Sequence, residues 1–315
     1  AAALLVTGKP VGGGNAVMET AGQGMRGQSV YGAAMTDEQR PYGSGASDPA
    51  LKRVRTRHFK SAKENGIKIT GLTSYDFMSA SIFDEAGVDF LLVGDSAGNT
   101  VFGYDTTIPV TLDELIPLTA AVVRGASRAL VIGDMPFGSY ENGRRQALET
   151  AIRFMKETGC QAVKLEGGVR SAPQIEKIVD AGIPVMAHIG LTPQSSHVMG
   201  GFKTQGRDED TWAAHIKDAH AVTDAGAFSV VLEGMVEPLA SKITKEIAIP
   251  TIGIGASADC DGQILVLEDM LGMNPWTPKF VKVYGQLGPM IEDSVKRYAA
   301  EVKDRSFPSE DEVYR

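Results

Sequence analysis

A chain of 315 residues with 43% hydrophobic and 22% charged residues is long enough to bury a large core without disulfides or structural zinc. Its net charge of −8, with no basic run, argues against a nucleic-acid-binding surface, and no apolar segment reaches the length of a membrane span. Cys160 and Cys260 are too few for a disulfide framework, so we expect a reducing, cytoplasmic setting.

Residues 1–50 differ in composition from the rest of the chain. They contain ten glycines together with Ser, Pro and Gln, and they show no sustained apolar period. Such a segment cannot bury enough apolar surface to offset its chain entropy. We therefore predict a flexible, glycine-rich N-terminal tail at 1–50. A single catalytic domain is predicted over 51–315, ending in a C-terminal helical and tail segment.

From about residue 51, short runs rich in Val and Ile alternate with helix-like stretches. Most runs are apolar on both faces, as parallel strands covered by helices are. Thr111 and Glu114 form a capping box, and Gly159, Gly182 and Gly226 stand where helices end. The predicted strands are 68–75, 89–95, 129–135, 162–167, 184–190, 228–234, 250–256 and 279–285. The predicted helices include 111–126, 144–159, 171–182, 208–226 and 237–248.

Eight strand–helix units in about 255 residues predict an α/β fold of the (β/α)8 TIM-barrel type. A doubly wound open sheet is the alternative. Its glycine fingerprint is missing after the first strand, and the pair Gly253 and Gly255 comes late and lacks a third glycine.

The stretch VGDSAG fits G-x-S-x-G, the nucleophile elbow of serine hydrolases, with Ser96 as nucleophile. An elbow turns straight into a helix, whereas here we expect a loop that continues until a helix begins at Thr111. No clear Asp-then-His pair at later strand ends completes a triad. The match is interpreted as incidental, and Asp95 as the functional residue.

Ionisable side chains fall at the ends of five consecutive predicted strands. In a barrel these positions meet at the carboxyl-terminal rim, where active sites are built. We therefore predict one shared site formed by Asp95, Asp134, Lys164, Glu166, His188 and Glu233.

Asp95 and Asp134 come from neighbouring strands, so their carboxylates are expected to lie within a few ångströms. Two unpaired carboxylates that close would repel, and a divalent cation removes that problem. Ligands that are all oxygen favour Mg²⁺ or Mn²⁺ over zinc. The alternative is a pair of aspartates that only cap or brace loops.

Among the remaining rim residues, Lys164, Glu166 and His188 each allow two interpretations. Lys164 and Glu166 share one face of a strand. They form either a buried ion pair, or a functional pair in which Lys164 binds the substrate and Glu166 orients a metal-bound water. His188 is either a hydrogen-bonded core histidine or a substrate contact. Glu233 has apolar neighbours that would raise its pKa and suit it to accept a proton.

Several long motifs occur in order and together resemble the ketopantoate hydroxymethyltransferase family, from about Thr56 to about Pro308. The related phosphoenolpyruvate mutase and isocitrate lyase group shares the barrel and the metal chemistry but lacks LTPQS and GGFKTQGR. A metal-dependent 2-oxo acid lyase or mutase of that group is the alternative function. The motifs are LLVGDSAGNTVFGYDTTIPVTLDEL, GDMPFGSY, AVKLEGG, PVMAHIGLTPQS, GGFKTQGR, IPTIGIGA and CDGQILV.

The resemblance implies a transferase that passes a hydroxymethyl group from 5,10-methylenetetrahydrofolate to 3-methyl-2-oxobutanoate. The product is 2-dehydropantoate, formed through a magnesium-stabilised enolate in pantothenate and coenzyme A biosynthesis. The resemblance also implies a homo-oligomer, commonly a decamer, whose partners are the 2-oxo acid and folate rather than nucleic acid or membrane.

The resemblance also assigns roles to the rim residues. Asp95 and Asp134 would bind Mg²⁺ or Mn²⁺, with Glu166 acting through a metal-bound water. Glu233 would be the catalytic base. The 2-oxo acid would contact Ser96, Asp134, Lys164 and His188.

The chain departs from the family pattern at three places. His197 stands where the family usually has Asn, Ser257 where it has Gly, and the sequence after Pro308 differs from the usual ending. None of these departures touches a predicted metal or base position.

Overall fold

Eight parallel strands close into a barrel in which each strand pairs with its sequence neighbours and β8 pairs with β1. The computed structural model describes residues 53–315, so the predicted tail at 1–50 and its boundary lie outside the described residues. The predicted (β/α)8 barrel is confirmed. The strands are β1 (Ile69–Thr73), β2 (Phe90–Val93), β3 (Leu130–Asp134), β4 (Ala162–Glu166), β5 (Val185–Gly190), β6 (Ser229–Glu233), β7 (Thr251–Ile254) and β8 (Gly262–Leu265).

The eighth strand is not the predicted one. Residues 279–285 form no strand, and β8 is the four-residue segment GQIL at Gly262–Leu265. Because β8 pairs with both β1 and β7, the barrel has no free edge for a later strand. The alternating pattern of KFVKVYG instead belongs to an irregular segment whose side chains are half-buried or exposed.

Helices follow most strands and begin and end close to the predicted residues. The capping box is confirmed, since the Glu114 backbone N–H donates to Thr111 Oγ1 at 3.2 Å and the Thr111 N–H donates to Glu114 Oε2 at 2.8 Å. Within residues 53–315, no helix combines the length and the apolar character needed to cross a membrane. The α-helices are α1 (Thr56–Glu64), α2 (Phe77–Glu85), α3 (Ala97–Thr100), α4 (Leu112–Gly125), α5 (Arg144–Arg153), α6 (Ala172–Asp180), α7 (Ser196–Met199), α8 (Trp212–Asp224), α9 (Glu237–Glu246), α10 (Leu267–Met270) and α11 (Leu287–Asp304).

The barrel interior is apolar at the amino-terminal end of the strands and polar at the carboxyl end. Phe59 of α1 closes the lower end, with its ring 5.6 Å from that of Phe90 and 5.2 Å from that of Phe228. Because side chains alternate along a strand, Leu130 and Ile132 place Asp134 on the same inner face. The core below the rim therefore fixes which way the rim side chains point.

The C-terminal helix α11 packs differently from the others, since none of its residues is buried. Large apolar side chains are exposed along its length at intervals that keep them on one face of a helix. These are Met290, Ile291, Val295, Tyr298 and Val302.

Candidate active site at the carboxyl ends of the strands

The structure brings the predicted rim residues together. Asp134 is in register with Lys164, Glu166 with His188, and Glu233 with Gly190 on the strand beside it. Asp134, Lys164, Glu166 and His188 are all buried, whereas the Glu233 side chain keeps 19% of its surface exposed. Glu233 therefore lies where the closed interior meets solvent.

Lys164 and Asp134 form a buried ion pair, with 2.8 Å between Lys164 Nζ and Asp134 Oδ1. The backbone N–H of Asp95 donates to Asp134 Oδ2 at 3.0 Å. Burial raises the pKa of Asp134 to about 7; Lys164 partly offsets the rise and the Asp95 carboxylate adds to it. Burial alone would lower the pKa of Lys164, but the Asp134, Glu166 and Asp95 carboxylates raise it overall, so the lysine stays charged.

His188 lies between Lys164 and the two glutamates. Its Nδ1 is 3.4 Å from Lys164 Nζ and 3.5 Å from Glu166 Oε1, while its Nε2 is 3.3 Å from Glu233 Oε2. Burial, together with the Lys164 charge, lowers the pKa of His188, so the ring is neutral near pH 7. With Nδ1 accepting from the lysine, the ring proton is on Nε2 and faces Glu233.

Glu166 has more acceptor capacity than the protein satisfies. Its Oε2 accepts from the backbone N–H of Gln194 at 3.1 Å, whereas its Oε1 is buried and accepts no hydrogen bond within residues 53–315. Burial raises the pKa of Glu166 well above its usual range, and the Asp95, Asp134 and Glu233 carboxylates add to the rise against the effect of Lys164. An unsatisfied buried carboxylate oxygen is costly in a protein that binds nothing there.

The loop expected after Ser96 is only partly right. One turn of helix, α3, follows Ser96 directly, because the backbone N–H groups of Gly98 and Asn99 donate back to the carbonyls of Asp95 and Ser96. Ser96 Oγ is 2.7 Å from the Tyr75 hydroxyl, and no histidine is hydrogen-bonded to it among the described residues. Within residues 53–315, Ser96 therefore has no histidine to act as the base of a hydrolase triad, although a helix does follow it.

Two residues of the site were not predicted from the sequence. Gln194, in the turn after β5, donates from Nε2 to Asp95 Oδ2 at 3.0 Å and to the Met135 carbonyl at 3.1 Å. The Tyr140 hydroxyl donates to Gln194 Oε1 at 2.6 Å and accepts from the Glu166 N–H at 3.3 Å. Gln194 thus contacts two of the carboxylates, Asp95 through its side-chain amide and Glu166 through its backbone N–H.

The rim side chains enclose a small cavity of about 80 Å³. The free space is equivalent to a few water molecules. It is bounded by residues from the carboxyl ends of all eight strands, including Asp95, Ser96, Asp134, Lys164, Glu166, His188 and Glu233. A small anionic molecule that entered would contact one lysine and several carboxylates at once.

The family model described as ketopantoate hydroxymethyltransferase matches residues 53–310. The chain belongs to the ketopantoate hydroxymethyltransferase family. A protein of Leifsonia xyli subsp. xyli named 3-methyl-2-oxobutanoate hydroxymethyltransferase is 58% identical over 263 residues, which cover 83% of this chain and 95% of that protein. A protein of the same name from Mycobacterium sp. (strain KMS) is 54% identical over 281 residues, covering 88% and 99%.

Membership of the ketopantoate hydroxymethyltransferase family makes the chain a transferase, as the motifs indicated. Solved structures confirm the fold alone, because their sequence identity is low. A 2,3-dimethylmalate lyase of the phosphoenolpyruvate mutase/isocitrate lyase superfamily has a TM-score of 0.52 at 19% identity and covers 82% of this chain and 91% of that one. A phosphonopyruvate hydrolase complexed with oxalate and Mg²⁺ has a TM-score of 0.52 at 12% identity, covering 82% and 92%.

Proposed function

We propose that this chain transfers a hydroxymethyl group from 5,10-methylenetetrahydrofolate to 3-methyl-2-oxobutanoate, giving 2-dehydropantoate for pantothenate and coenzyme A biosynthesis. The observation that carries the proposal is the small, charged cavity at the rim. The cavity contains Lys164, which can bind a substrate carboxylate. It also contains Glu233, a carboxylate in the cavity wall that can accept a proton from the substrate.

The residues present fit a bound Mg²⁺ ion. Asp95 and Asp134 offer oxygen ligands, and the unpartnered Glu166 Oε1 supplies an acceptor for a hydrogen bond from a metal-bound water. Among residues 53–315 no three His, Cys, Asp or Glu side chains are grouped to ligate one ion together, so water and substrate would complete the coordination. When bound, Mg²⁺ (or Mn²⁺) would polarise the 2-oxo group and offset the surplus carboxylate charge.

In the proposed reaction, side chains of this chain would bind and deprotonate the oxo acid. Lys164 would neutralise the substrate carboxylate, and Ser96, held by Tyr75, would donate a hydrogen bond to it. Glu233 would remove the C3 proton, leaving an enolate that attacks the methylene carbon of the folate as one of its two C–N bonds breaks. Hydrolysis of the remaining C–N bond would then supply the hydroxyl oxygen from water and release tetrahydrofolate. His188 Nε2–H, 3.3 Å from Glu233 Oε2, would hold that carboxylate in place.

The test is a direct assay of the purified chain with 3-methyl-2-oxobutanoate, methylenetetrahydrofolate and Mg²⁺. We expect 2-dehydropantoate, and its formation should stop when either folate or the metal is left out. Formation of a cleaved or rearranged 2-oxo acid without folate would favour a lyase or mutase instead. A folded protein that gives no product with the full mixture would refute the proposal.

Replacing Gln194 by alanine should weaken Mg²⁺ binding by about 10- to 100-fold, because residues that orient metal ligands typically have effects of that size. Asp95 would lose its side-chain donor. Glu166 would keep the backbone N–H of residue 194 as a donor, but the side chain that holds that backbone in place would be gone. Isothermal titration with Mg²⁺ measures the change, and Gln174→Ala on the outer helix α6 is the control. Equal affinities in the wild type and both variants would show that Gln194 does not position the metal ligands.

The stability of the metal-free protein should fall as pH rises from about 4 to about 7. The pKa of Asp134 in the folded state, about 7, lies above its ordinary value of 3.8, so its proton stabilises the fold at low pH and this contribution is lost as pH rises through 7. Glu166 is shifted in the same direction. Thermal unfolding with and without Mg²⁺ isolates the effect, since the ion binds the ionised carboxylates.

Mg²⁺ should raise the unfolding midpoint by at least about 3 °C more at pH 8 than at pH 5. Asp134→Asn should reduce this difference, because it removes the ionisation of one of the two shifted carboxylates. An equal Mg²⁺ effect at both pH values would show that the ionisation of the rim carboxylates is not linked to metal binding.

We also propose that the chain forms a homo-oligomer and works in the cytoplasm. The exposed apolar face of α11 supports association with further copies of this chain, as a homo-oligomer and, following the family resemblance, a decamer. Cys160 and Cys260 are both free thiols, which suits a cytoplasmic location.

A further inference from the structure

A second cavity, of about 960 Å³, adjoins the rim on the side of β6 and β7. Glu233 lines both this cavity and the small one of about 80 Å³ inside the barrel mouth. We infer that the larger cavity is the folate-binding site and that Trp276, Lys203 and Lys279 bind the donor there. This inference rests on the proposed function.

The sizes of the two cavities indicate that the folate donor binds in the larger one and not in the smaller one. The inner cavity, at about 80 Å³, is far too small for a folate, whereas ligands of folate size occupy sites of roughly 300–1,000 Å³. The donor and the 2-oxo acid must nevertheless meet, because a carbon atom passes between them. Glu233 stands at the one wall that the two cavities share, so a one-carbon unit presented from the larger cavity reaches the acid where its proton is removed.

Aromatic side chains form one part of the larger cavity's wall. Phe202, Trp276 and Phe280 line it and remain between 40% and 60% exposed. The Phe280 ring lies against Gly255, where a Cβ atom would be only 2.8 Å from the ring and where φ is +61°. Glycine at this position lets the ring lie beside the loop after β7. Flat aromatic surfaces of this kind stack on conjugated ring systems such as a pterin.

The charge of the wall suits the other end of a folate. Lys68, Lys203 and Lys279 line the cavity, and among residues 53–315 Glu233 is the only acidic side chain that does. Lys68 Nζ already donates to three backbone carbonyls, including those of Ala258 and Cys260. Lys203 and Lys279 form no ion pair within residues 53–315, and their ammonium groups can bind the glutamyl carboxylates of the donor.

Tetrahydrofolate, the product form of the donor, is the probe. Trp276→Ala should raise its dissociation constant about tenfold, since loss of one stacking partner has an effect of that order. Lys203→Ala with Lys279→Ala should raise it about threefold and remove most of its salt dependence. The matched control is Lys282→Ala, because Lys282 lies on the same segment, beside the Tyr284 ring, and does not line the cavity.

A second readout distinguishes this inference from the proposed function. Exchange of the C3 proton of 3-methyl-2-oxobutanoate with D₂O in the presence of Mg²⁺ needs no folate and reports on the inner cavity alone. In the variants, we expect the dissociation constant for tetrahydrofolate to rise by a much larger factor than the rate of C3 proton exchange falls. If wild-type enzyme forms 2-dehydropantoate but the variants bind tetrahydrofolate as tightly as Lys282→Ala does, the folate site lies elsewhere. If the wild type forms no product, the proposed function itself fails.

Discussion

Glu233→Gln should lower kcat for 2-dehydropantoate formation by about 10²- to 10⁴-fold, the usual contribution of a general base. Glutamine keeps the size of the side chain and an oxygen that can face His188 Nε2, 3.3 Å away, but it cannot take up the C3 proton. Because Glu233 is not among the proposed metal ligands, the dissociation constant for Mg²⁺ should stay within about twofold of the wild-type value.

The control for this variant is Glu176→Gln, which makes the same chemical change on the exposed surface of α6. It should leave kcat unchanged. The pattern to look for is a loss of kcat with little change in the KM for the oxo acid, which indicates an interaction made in the transition state. A Glu233→Gln enzyme with more than about a tenth of wild-type kcat would show that another group is the base.

Lys164→Met should destabilise the fold by about 3–5 kcal/mol, because removing one partner of a buried pair leaves an uncompensated charge. Lys164 Nζ is 2.8 Å from Asp134 Oδ1, with both side chains almost fully buried. The loss should grow from about pH 6 to about pH 8.5, since Asp134 can escape it at low pH by taking up a proton. Urea unfolding of metal-free protein measures both effects.

The exposed pair Lys60–Glu64, 3.9 Å apart, provides the control. Lys60→Met should change the free energy of unfolding by less than about 1 kcal/mol. Combining Lys164→Met with Asp134→Asn should recover much of the lost stability without recovering activity. If the double variant is as unstable as the sum of the two single ones, the lysine stabilises the barrel by packing and not by compensating Asp134.

The rim residues could be predicted because a simple physical rule connects sequence position to place. A parallel barrel puts every strand's last residue at one end, so a polar residue that ends an apolar run must lie at that rim. For this reason the sequence alone predicts that Asp134, Glu166 and Glu233 lie in one site. The helix at Thr111 was predictable for a similar reason, because its capping box is a local pattern.

The features that were missed depend on contacts between distant segments. The strand at Gly262–Leu265 is short and follows a glycine-containing loop, and its identity comes from pairing with β1, nearly two hundred residues earlier. Gln194 carries no pattern of its own, since its role appears only when the turn after β5 folds over Asp95. The single turn of helix after Ser96 is too short to have a periodic signal.

The most direct test of the proposed site is a crystal structure of the protein soaked with Mn²⁺ and 3-methyl-2-oxobutanoate, with the ion located by its anomalous scattering. We expect one Mn²⁺ ligated by the Asp95 and Asp134 carboxylates. The substrate carboxylate should lie at Lys164, and its C3 atom should be within reach of Glu233. An ion bound elsewhere, or a substrate whose C3 faces away from Glu233, would contradict the proposed site.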